Sequence, residues 1–504
     1  MPTKIWSAAL NGLEAVTVAV EADSGGGDFG QITIVGLPDA AVSESKERVK
    51  SALRNCGLQF PRRKITVNLA PADLKKRGPA YDLPIAISIL ALKNNFKINF
   101  NNCLLVGELS LNGEIQPVNG LLSMALAAQQ AQITTLFIPA ANVAEAQLVK
   151  GLTIFPLDNL SQLIKHLQKK ELLTPAAITR YKPLIKKTDF DLAEIQGQEK
   201  AKRALEITAA GGHNLLLFGS PGSGKTLLAK ALPSILPSLS FHEKLEITKI
   251  YSAAGELKNN QALISVRPFR SPHHSASGVS LVGGGAWPHP GEISLAHRGV
   301  LFLDEFPEFS RSSLENLRQP LEEGVININR ASGCLKFPAK FMLLAAMNPC
   351  PCGYLGDKKQ ECRCSPHQII NYRHRLSGPI IDRIDLHVEV PRVNLEKIQE
   401  ENASESSRNV RQRVEMARAR QVARFKKLSF LTNAEMTNSD IKTFCSLDSS
   451  GYQLLSMAGE KINLSARSYF RVLKLSRTIA DLADEKNILP GHLAEALQYR
   501  PKLL

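Results

Sequence analysis

Apolar residues form short runs before residue 394 of this chain and take helical spacing after it. Runs such as Ile32–Val35 are typical of strands, and Ser123–Gln132 has the composition of a helix. Further along, Val410–Lys427 and Ala466–Asp484 show helical periodicity with little strand signal. The pattern predicts a mixed α/β chain that ends in a helical region.

Changes in this pattern predict three domains, which suits a chain of 504 residues because single cores rarely grow that large. Residues 1–167 mix strands and helices. A lysine-rich stretch with two prolines, residues 168–191, is interpreted as a linker. Residues 192–393 form a βα-rich core, and residues 394–504 form the helical domain.

A phosphate-binding loop follows the apolar run Asn214–Phe218, and a helical segment, Leu227–Leu232, comes after it. The loop matches G-x-x-x-x-G-K-[ST] and consists of Gly219, Ser220, Pro221, Gly222, Ser223, Gly224, Lys225 and Thr226. Its glycines let backbone N–H groups face phosphate oxygens, Lys225 reaches the β and γ phosphates, and Thr226 binds Mg²⁺. Because strand, loop and helix follow in order, the sequence predicts an ATP and Mg²⁺ site.

Two later apolar runs end in polar residues suited to the same chemistry. Gly299–Leu303 is followed by Asp304, a ligand for the magnesium shell, and by Glu305, which can polarise the attacking water. Phe341–Met347 ends at Asn348, which either contacts the γ-phosphate or is an ordinary turn residue. Together with the phosphate-binding loop, the acidic pair predicts a hydrolase.

The formal charge of +15 favours a polyanionic partner, most commonly nucleic acid, although simple solubility is the alternative explanation. No apolar stretch reaches the length of a membrane-spanning helix, and the N-terminus lacks an export signal. These features predict a cytoplasmic protein without a membrane partner.

Four of the eight cysteines are close together in the sequence. They form two C-x-C pairs, Cys350 with Cys352 and Cys362 with Cys364, and His367 is a possible substitute ligand. Four thiolates can enclose a tetrahedral Zn²⁺ ion with no open position, so the predicted role is structural. Free cysteines are the alternative.

Several motifs together resemble the ComM/YifB family, in the magnesium-chelatase-like branch of the AAA+ ATPases. They are Ile195–Leu205, Arg267–His274, Gly283–Gly285, Pro290–His297 and Asn348–Gly353. The resemblance extends over essentially the whole chain. It implies a ring, a homohexamer, with ATP bound at the subunit interfaces.

The resemblance also implies roles for three residues. Asn348 would be the sensor-1 residue, Arg383 the arginine finger that reaches a neighbouring subunit's γ-phosphate, and Arg467 the sensor-2 arginine of a helical lid. Arg375 is a second candidate finger and Arg471 a second candidate sensor. Surface or structural salt bridges are the alternative for the arginines.

A β-hairpin is predicted by alternation in Gly324–Arg330, a turn at Ala331–Gly333 and a return through Cys334–Phe337. Hairpins of this family face the channel of the ring, so Arg330 and Lys336 would contact a DNA backbone. Two solvated charges remain the alternative.

The first domain is similar to the Lon-protease fold at Gly107–Gly120 and Phe137–Pro139. Ala80 stands where that fold has its catalytic serine, and Leu122 where it has its lysine. Neither side chain can act as nucleophile or base, so peptidase activity is not expected. The basic segment Lys75–Arg77 is either part of a DNA-facing surface or ordinary solvated surface.

The resemblance implies a DNA-stimulated ring helicase that drives branch migration during recombination of incoming DNA in natural transformation. Its partners would be single-stranded and branched DNA. Alternatives are a chelatase-like protein-remodelling ATPase, a DNA-binding scaffold that uses ATP only to close its ring and, less favoured, an ATP-dependent protease. DNA-stimulated turnover would separate the first alternative from the helicase, and phosphate release would exclude the second.

Overall fold

The computed structural model describes residues 3–25, 31–61, 63–93, 96, 100–177, 190–257, 262–285, 289–330, 333–357, 359–392, 405–428, 430–461 and 464–500. The chain divides into two compact units. One comprises Met1–Pro183 and Lys244–Ile264, and the other comprises Leu184–Glu243 and Ser265–Leu504. Much of the predicted linker, residues 178–189, lies outside the described residues.

The first unit is built on a seven-stranded sheet of order β3-β4-β2-β1-β5-β8-β9 within the described residues. β1 and β4 are antiparallel to β2, and the remaining neighbours run parallel. The strands are β1 (Thr3–Asn11), β2 (Glu14–Gly25), β3 (Ile32–Val35), β4 (Lys64–Ala70), β5 (Cys103–Leu105), β6 (Glu108–Leu109), β7 (Ile115–Gln116), β8 (Thr135–Pro139) and β9 (Thr153–Leu157). β6 and β7 form a separate small hairpin.

Alternating side chains place an apolar core on each face of this sheet. In β1, Ile5 and Ala9 join one core, and Ala8 joins the other. The helices of this unit are Ala40–Asn55, Asp82–Ala91, Leu121–Gln130, Val143–Ala146 and Leu160–Leu167. A further helix, Phe241–Ala254, contributes its residues from Lys244 onward to the unit.

The second unit contains a parallel five-stranded sheet of order β11-β14-β17-β10-β18, as far as the chain is described. Buried apolar runs such as Leu215–Leu217 and Val300–Leu303 form its strands, since both faces of a parallel sheet are covered. The strands of this unit are β10 (Leu215–Phe218), β11 (Phe269–Arg270), β12 (Gly283–Gly284), β13 (His289–Pro290), β14 (Val300–Leu303), β15 (Val325–Arg330), β16 (Gly333–Pro338), β17 (Met342–Met347) and β18 (Leu386–Glu389).

Helices cover this sheet and form the end of the chain. Those of the sheet region are Glu199–Gly211, Lys225–Ile235, Gly278–Val282, Glu292–Leu295, Arg311–Glu315, Arg318–Glu323, Pro366–His374 and Gly378–Ile381. Those near the C-terminus are Ser407–Arg424, Asn438–Phe444, Ser449–Lys461, Ala466–Leu482 and Pro490–Gln498. The two predicted C-terminal helices are therefore present, and Asp481 joins them through a salt bridge to Arg424.

Candidate active site

Strand order brings the three polar segments to one edge of the sheet. β17 lies between β10 and β14, and all three run parallel. Their carboxyl ends therefore meet, and these ends lead to the phosphate-binding loop, to Asn348, and to Asp304 with Glu305. Ligands of open α/β sheets bind at this edge.

The phosphate-binding loop needs its glycines for two physical reasons. Gly222 and Gly224 adopt positive φ angles of 75° and 91°, a conformation that favours glycine. Gly219 has no room for a side chain, because a Cβ atom there would lie 2.2 Å from the carbonyl oxygen of Val390. The helix Lys225–Ile235 begins at the last two residues of the loop, so its positive end faces the same space.

Lys225 is almost fully buried within the curve of this loop. Its Nζ donates hydrogen bonds to the carbonyl oxygens of Gly219 at 2.8 Å and Ser220 at 2.9 Å. The Oδ1 atom of Asn348 lies 3.3 Å from the same Nζ. Burial lowers the pKa of Lys225, partly opposed by the charge of Asp304. The predicted phosphate and sensor residues are thus brought together.

Thr226 and Asp304 form the arrangement expected for a magnesium site. The Thr226 hydroxyl donates to Oδ2 of Asp304 at 2.8 Å. A hydroxyl and a carboxylate in contact supply the hard oxygen ligands that Mg²⁺ prefers. The residues present therefore fit Mg²⁺ bound between the loop and the end of β14.

Glu305 adopts a left-handed backbone conformation, with φ of 51°. Such a conformation is strained for a residue other than glycine and is commonly found at functional sites. The Nδ1 atom of His274 lies 3.1 Å from Oε2 of Glu305. This pairing was not predicted, because no sequence motif links positions so far apart.

The two arginines predicted as finger and sensor meet at one carboxylate. Glu322 forms salt bridges with Arg383 and with Arg467, the latter at 3.4 Å. The side chain of Arg383 is 7% exposed and that of Arg467 is 58% exposed. Arg375, the second candidate finger, is 52% exposed and lies 2.6 Å from Glu308. Their roles towards ATP stay predictions.

The second candidate sensor, Arg471, is held by a buried carboxylate. Its Nη1 pairs with Oδ1 of Asp385 and donates to the carbonyl oxygen of Arg383 at 2.9 Å. Burial raises the pKa of Asp385, but the charges of Arg471 and His213 outweigh it and hold the pKa well below its ordinary value. This arginine therefore has a clear structural partner.

The four clustered cysteines converge in space. The ligand atoms of Cys350, Cys352, Cys362 and Cys364 all lie within 4.8 Å of one another. The Sγ atom of Cys362 is 3.6 Å from those of Cys350 and Cys352. Zinc–sulfur bonds of about 2.3 Å in a tetrahedron require Sγ separations of about 3.8 Å, so the donor set fits a zinc ion. His367 is not part of this group and contacts Asn371 instead.

Models of three protein families match the chain. "Magnesium chelatase, subunit ChlI" matches residues 191–398, which include the phosphate-binding loop, the acidic pair, Asn348 and the four clustered cysteines. "Subunit ChlI of Mg-chelatase" matches residues 20–142, and "Magnesium chelatase, subunit ChlI C-terminal" matches residues 404–500.

Two curated relatives match almost from end to end. Competence protein ComM of Haemophilus influenzae is 44% identical over 98% of this chain and 97% of its own length. The uncharacterized protein YifB of Escherichia coli is 43% identical over 98% of this chain and 96% of its own length. The chain belongs to the ComM/YifB family. This family is of the magnesium-chelatase-like AAA+ kind, for which ATP and Mg²⁺ are the expected ligands.

This ComM/YifB member shares sequence with Lon proteases over part of its length. A Lon protease of Clostridium beijerinckii is 26% identical over 145 residues, which is 27% of this chain and 18% of that protein. Ala80 and Leu122 lie in one buried apolar cluster. The backbone N–H of Leu122 donates to the buried carboxylate of Glu145, which also accepts from the hydroxyl of Ser252 at 2.7 Å. No sequence motif predicts the role of this carboxylate.

The predicted basic surface of the first unit is corrected at one position. Lys76 is fully buried, and its Nζ donates to the carbonyl oxygen of Pro71. Burial lowers the pKa of Lys76. A buried ammonium cannot contact DNA, so Lys76 does not belong to a DNA-facing surface.

The predicted hairpin is present in this ComM/YifB member as β15 and β16. The two strands are antiparallel, and Asn327 lies opposite Lys336. Lys336 is exposed. Arg330 ends β15, but its side chain and the turn residues 331–332 lie outside the described residues. Across the described part of the chain, no helix is both long and apolar enough to cross a membrane.

Proposed function

We propose that this ComM/YifB member is an ATP-hydrolysing motor that acts on DNA as a homohexameric ring in the cytoplasm. Its task would be branch migration of recombination intermediates during natural transformation. The convergence of Lys225, Thr226, Asp304 and Glu305 at one sheet edge carries the ATPase part of the proposal.

The chain's own residues have separate parts in hydrolysis. Backbone N–H groups of the loop and Lys225 bind the phosphates, and Thr226 and Asp304 would hold Mg²⁺, whose charge would offset that of the phosphates. Glu305 accepts a proton from the water that attacks the γ-phosphorus, and Asn348 orients the γ-phosphate. The bond from the γ-phosphorus to the bridging oxygen breaks, leaving ADP and phosphate.

Two observations support DNA as the substrate. The formal charge is +15, and the hairpin presents Lys336 to solvent. One relative is named competence protein ComM, and a role on incoming DNA would agree with that name. Contacts from Arg330 and Lys336 to phosphates would be independent of base sequence and sensitive to salt. In the ring, Arg383 and Arg467 would complete ATP sites at subunit interfaces.

A structural Zn²⁺ ion is also proposed for the four-cysteine cluster. The four Sγ atoms lie within 4.8 Å of one another, which supports a tetrahedral site for this ion. Four protein ligands leave no position for substrate, so this ion would support the fold near Asn348.

The decisive experiment measures phosphate release by the wild type and Glu305→Gln, with no DNA, single-stranded DNA or a branched junction, across a salt series. We expect DNA to raise wild-type turnover, high salt to abolish the increase, and the variant to lose turnover by about 10²-fold or more. Glu308→Gln, an exposed glutamate three residues away, is the matched control. Brisk turnover that ignores DNA at every salt concentration would refute the motor on DNA.

The hairpin has its own test. Arg330→Ala with Lys336→Ala should lower DNA stimulation and reduce the slope of log affinity against log salt by about one per lost phosphate contact. Basal ATP hydrolysis should stay unchanged. Since a magnesium chelatase model matches the ATP site, protein remodelling is the second candidate, and it gains support if these variants keep full DNA stimulation.

A further inference from the structure

The loop that carries the four cysteines lies directly against the phosphate-binding loop. Gly353, with a positive φ of 84°, meets the ring of Pro221. A Cβ atom at Gly353 would lie 2.6 Å from Cδ of that proline, so no larger residue fits without displacing one of the two loops. The contact is therefore as close as backbone and ring allow.

Polar side chains join the same two loops. The Asp357 carboxylate accepts hydrogen bonds from the backbone N–H groups of Lys359 and Gln360 within its own loop. The Nε atom of Arg392 lies 3.3 Å from Oδ2 of Asp357, and its Nη2 donates to the carbonyl oxygen of Pro221 at 3.3 Å. Pro221 of the phosphate-binding loop is thus linked to Asp357 through Arg392.

The cysteine loop has little regular structure of its own. Between Met347 and Pro366, its described residues form neither helix nor strand. Its chain is held together where Cys350 and Cys352 meet Cys362 and Cys364. Thiolates this close repel one another unless a cation lies between them, so metal binding would order the loop.

We propose that a zinc-like divalent ion, bound by the four cysteines, fixes the cysteine loop against Pro221 and thereby sets the affinity of the phosphate-binding loop for nucleotide. The metal would act at a distance from the phosphates. Asp357 would be the positioning residue that transmits the effect of the metal to the phosphate-binding loop. This inference rests on the ATP site of the proposed function, but it does not depend on DNA.

The test measures two quantities on the full-length protein: bound zinc by mass spectrometry and the Kd for a fluorescent ATP analogue at equilibrium. Cys362→Ser with Cys364→Ser should lose zinc and raise the Kd about tenfold or more. Asp357→Ala should keep zinc and raise the Kd about fivefold, as expected for the loss of its salt bridge to Arg392. A zinc-selective chelator added to the wild type should weaken nucleotide binding, and added zinc should restore it.

Two matched controls accompany these variants. Cys334→Ser changes an exposed cysteine outside the cluster, and Glu361→Ala removes an exposed charge from the cysteine loop. Both should keep zinc and the wild-type Kd. If the double cysteine variant fails to fold by circular dichroism, Asp357→Ala and the chelator experiment decide.

Three results would overturn the inference. They are a wild type that binds ATP but no zinc, a zinc-free protein with unchanged Kd, and a Glu361→Ala variant as weak in binding as Asp357→Ala. Failure of the proposed function looks different, because a wild type that binds no nucleotide overturns the ATP site and this inference together.

Discussion

At the scale of single residues, the chemistry of the site depends on contacts between side chains that lie far apart in the chain. The Oδ1 atom of Asn348 lies 3.3 Å from Nζ of Lys225, and the Thr226 hydroxyl donates to Asp304. His274 and Glu322 were not predicted as partners of Glu305 and the arginines. Each pair is separated by tens of residues, so only folding brings its members into contact.

The contact between His274 and Glu305 leads to a prediction about catalysis. His274 holds the carboxylate that must face the attacking water, and small misplacements of a base are costly. We expect His274→Ala to lower kcat by about 10- to 100-fold with unchanged ATP affinity. Steady-state phosphate release and equilibrium nucleotide binding measure the two effects.

His273→Ala is the matched control, because the Nδ1 atom of His273 contacts Ser275 instead. His274→Asn keeps a hydrogen-bond donor and should retain part of the activity. Equal losses in both alanine variants, or a loss of affinity alone, would contradict the positioning role.

At the scale of elements, packing decides what the amphipathic patterns leave open. Residues Lys244–Ile264 belong to the first unit although they follow the phosphate-binding loop in sequence. Their attachment includes the backbone oxygen of Ser252, which accepts from Gly120, and the hydroxyl of Ser252, which donates to Glu145. A buried carboxyl group therefore lies where this segment packs.

Glu145 makes the stability of this packing depend on pH. Burial raises its pKa to about 7, against about 4.3 in an unfolded chain. Stability from the protonated group is complete below about pH 4.3, falls as pH rises and is lost above about pH 7. Glu145→Gln keeps the acceptor oxygen without titrating. As the pH rises through this range, its free energy of unfolding should therefore come to exceed that of the wild type by about 3 kcal/mol.

Urea unfolding at a series of pH values measures this difference. With Trp287 replaced by Phe, Trp6 alone reports on the first unit. Glu171→Gln, an exposed glutamate of the same unit, should run parallel to the wild type. If the free energy of unfolding of Glu145→Gln also runs parallel to that of the wild type over this pH series, Glu145 is not protonated in the folded protein.

At the scale of the whole molecule, the proposed ring requires residues from two subunits at each ATP site. Arg383 would act on the nucleotide of a neighbouring subunit. Loss of such an arginine typically costs about 10³-fold or more in turnover. Within the chain its side chain is held by Glu322, so a purely structural role would act inside one subunit.

Mixing two inactive variants separates these roles. Arg383→Ala and Glu305→Gln should each lose turnover, and an equal mixture should regain roughly a quarter of it, because a head-to-tail ring then contains interfaces with both residues intact. The control is a sample that contains only the Arg383→Ala/Glu305→Gln double variant, in which no interface has both residues intact. No recovery after subunit exchange would show that Arg383 acts within its own subunit.

The sequence by itself determined the chemistry whose residues are adjacent in the chain. Local residue spacing predicts four features, because each is built by neighbouring residues. They are the phosphate-binding loop, the acidic pair after β14, the two cysteine pairs and the hairpin. Tertiary structure alone decided which strand ends meet, that Lys76 is buried, and that the cysteine loop touches Pro221. These contacts join distant segments, and their geometry depends on strand order and packing, which residue spacing does not encode.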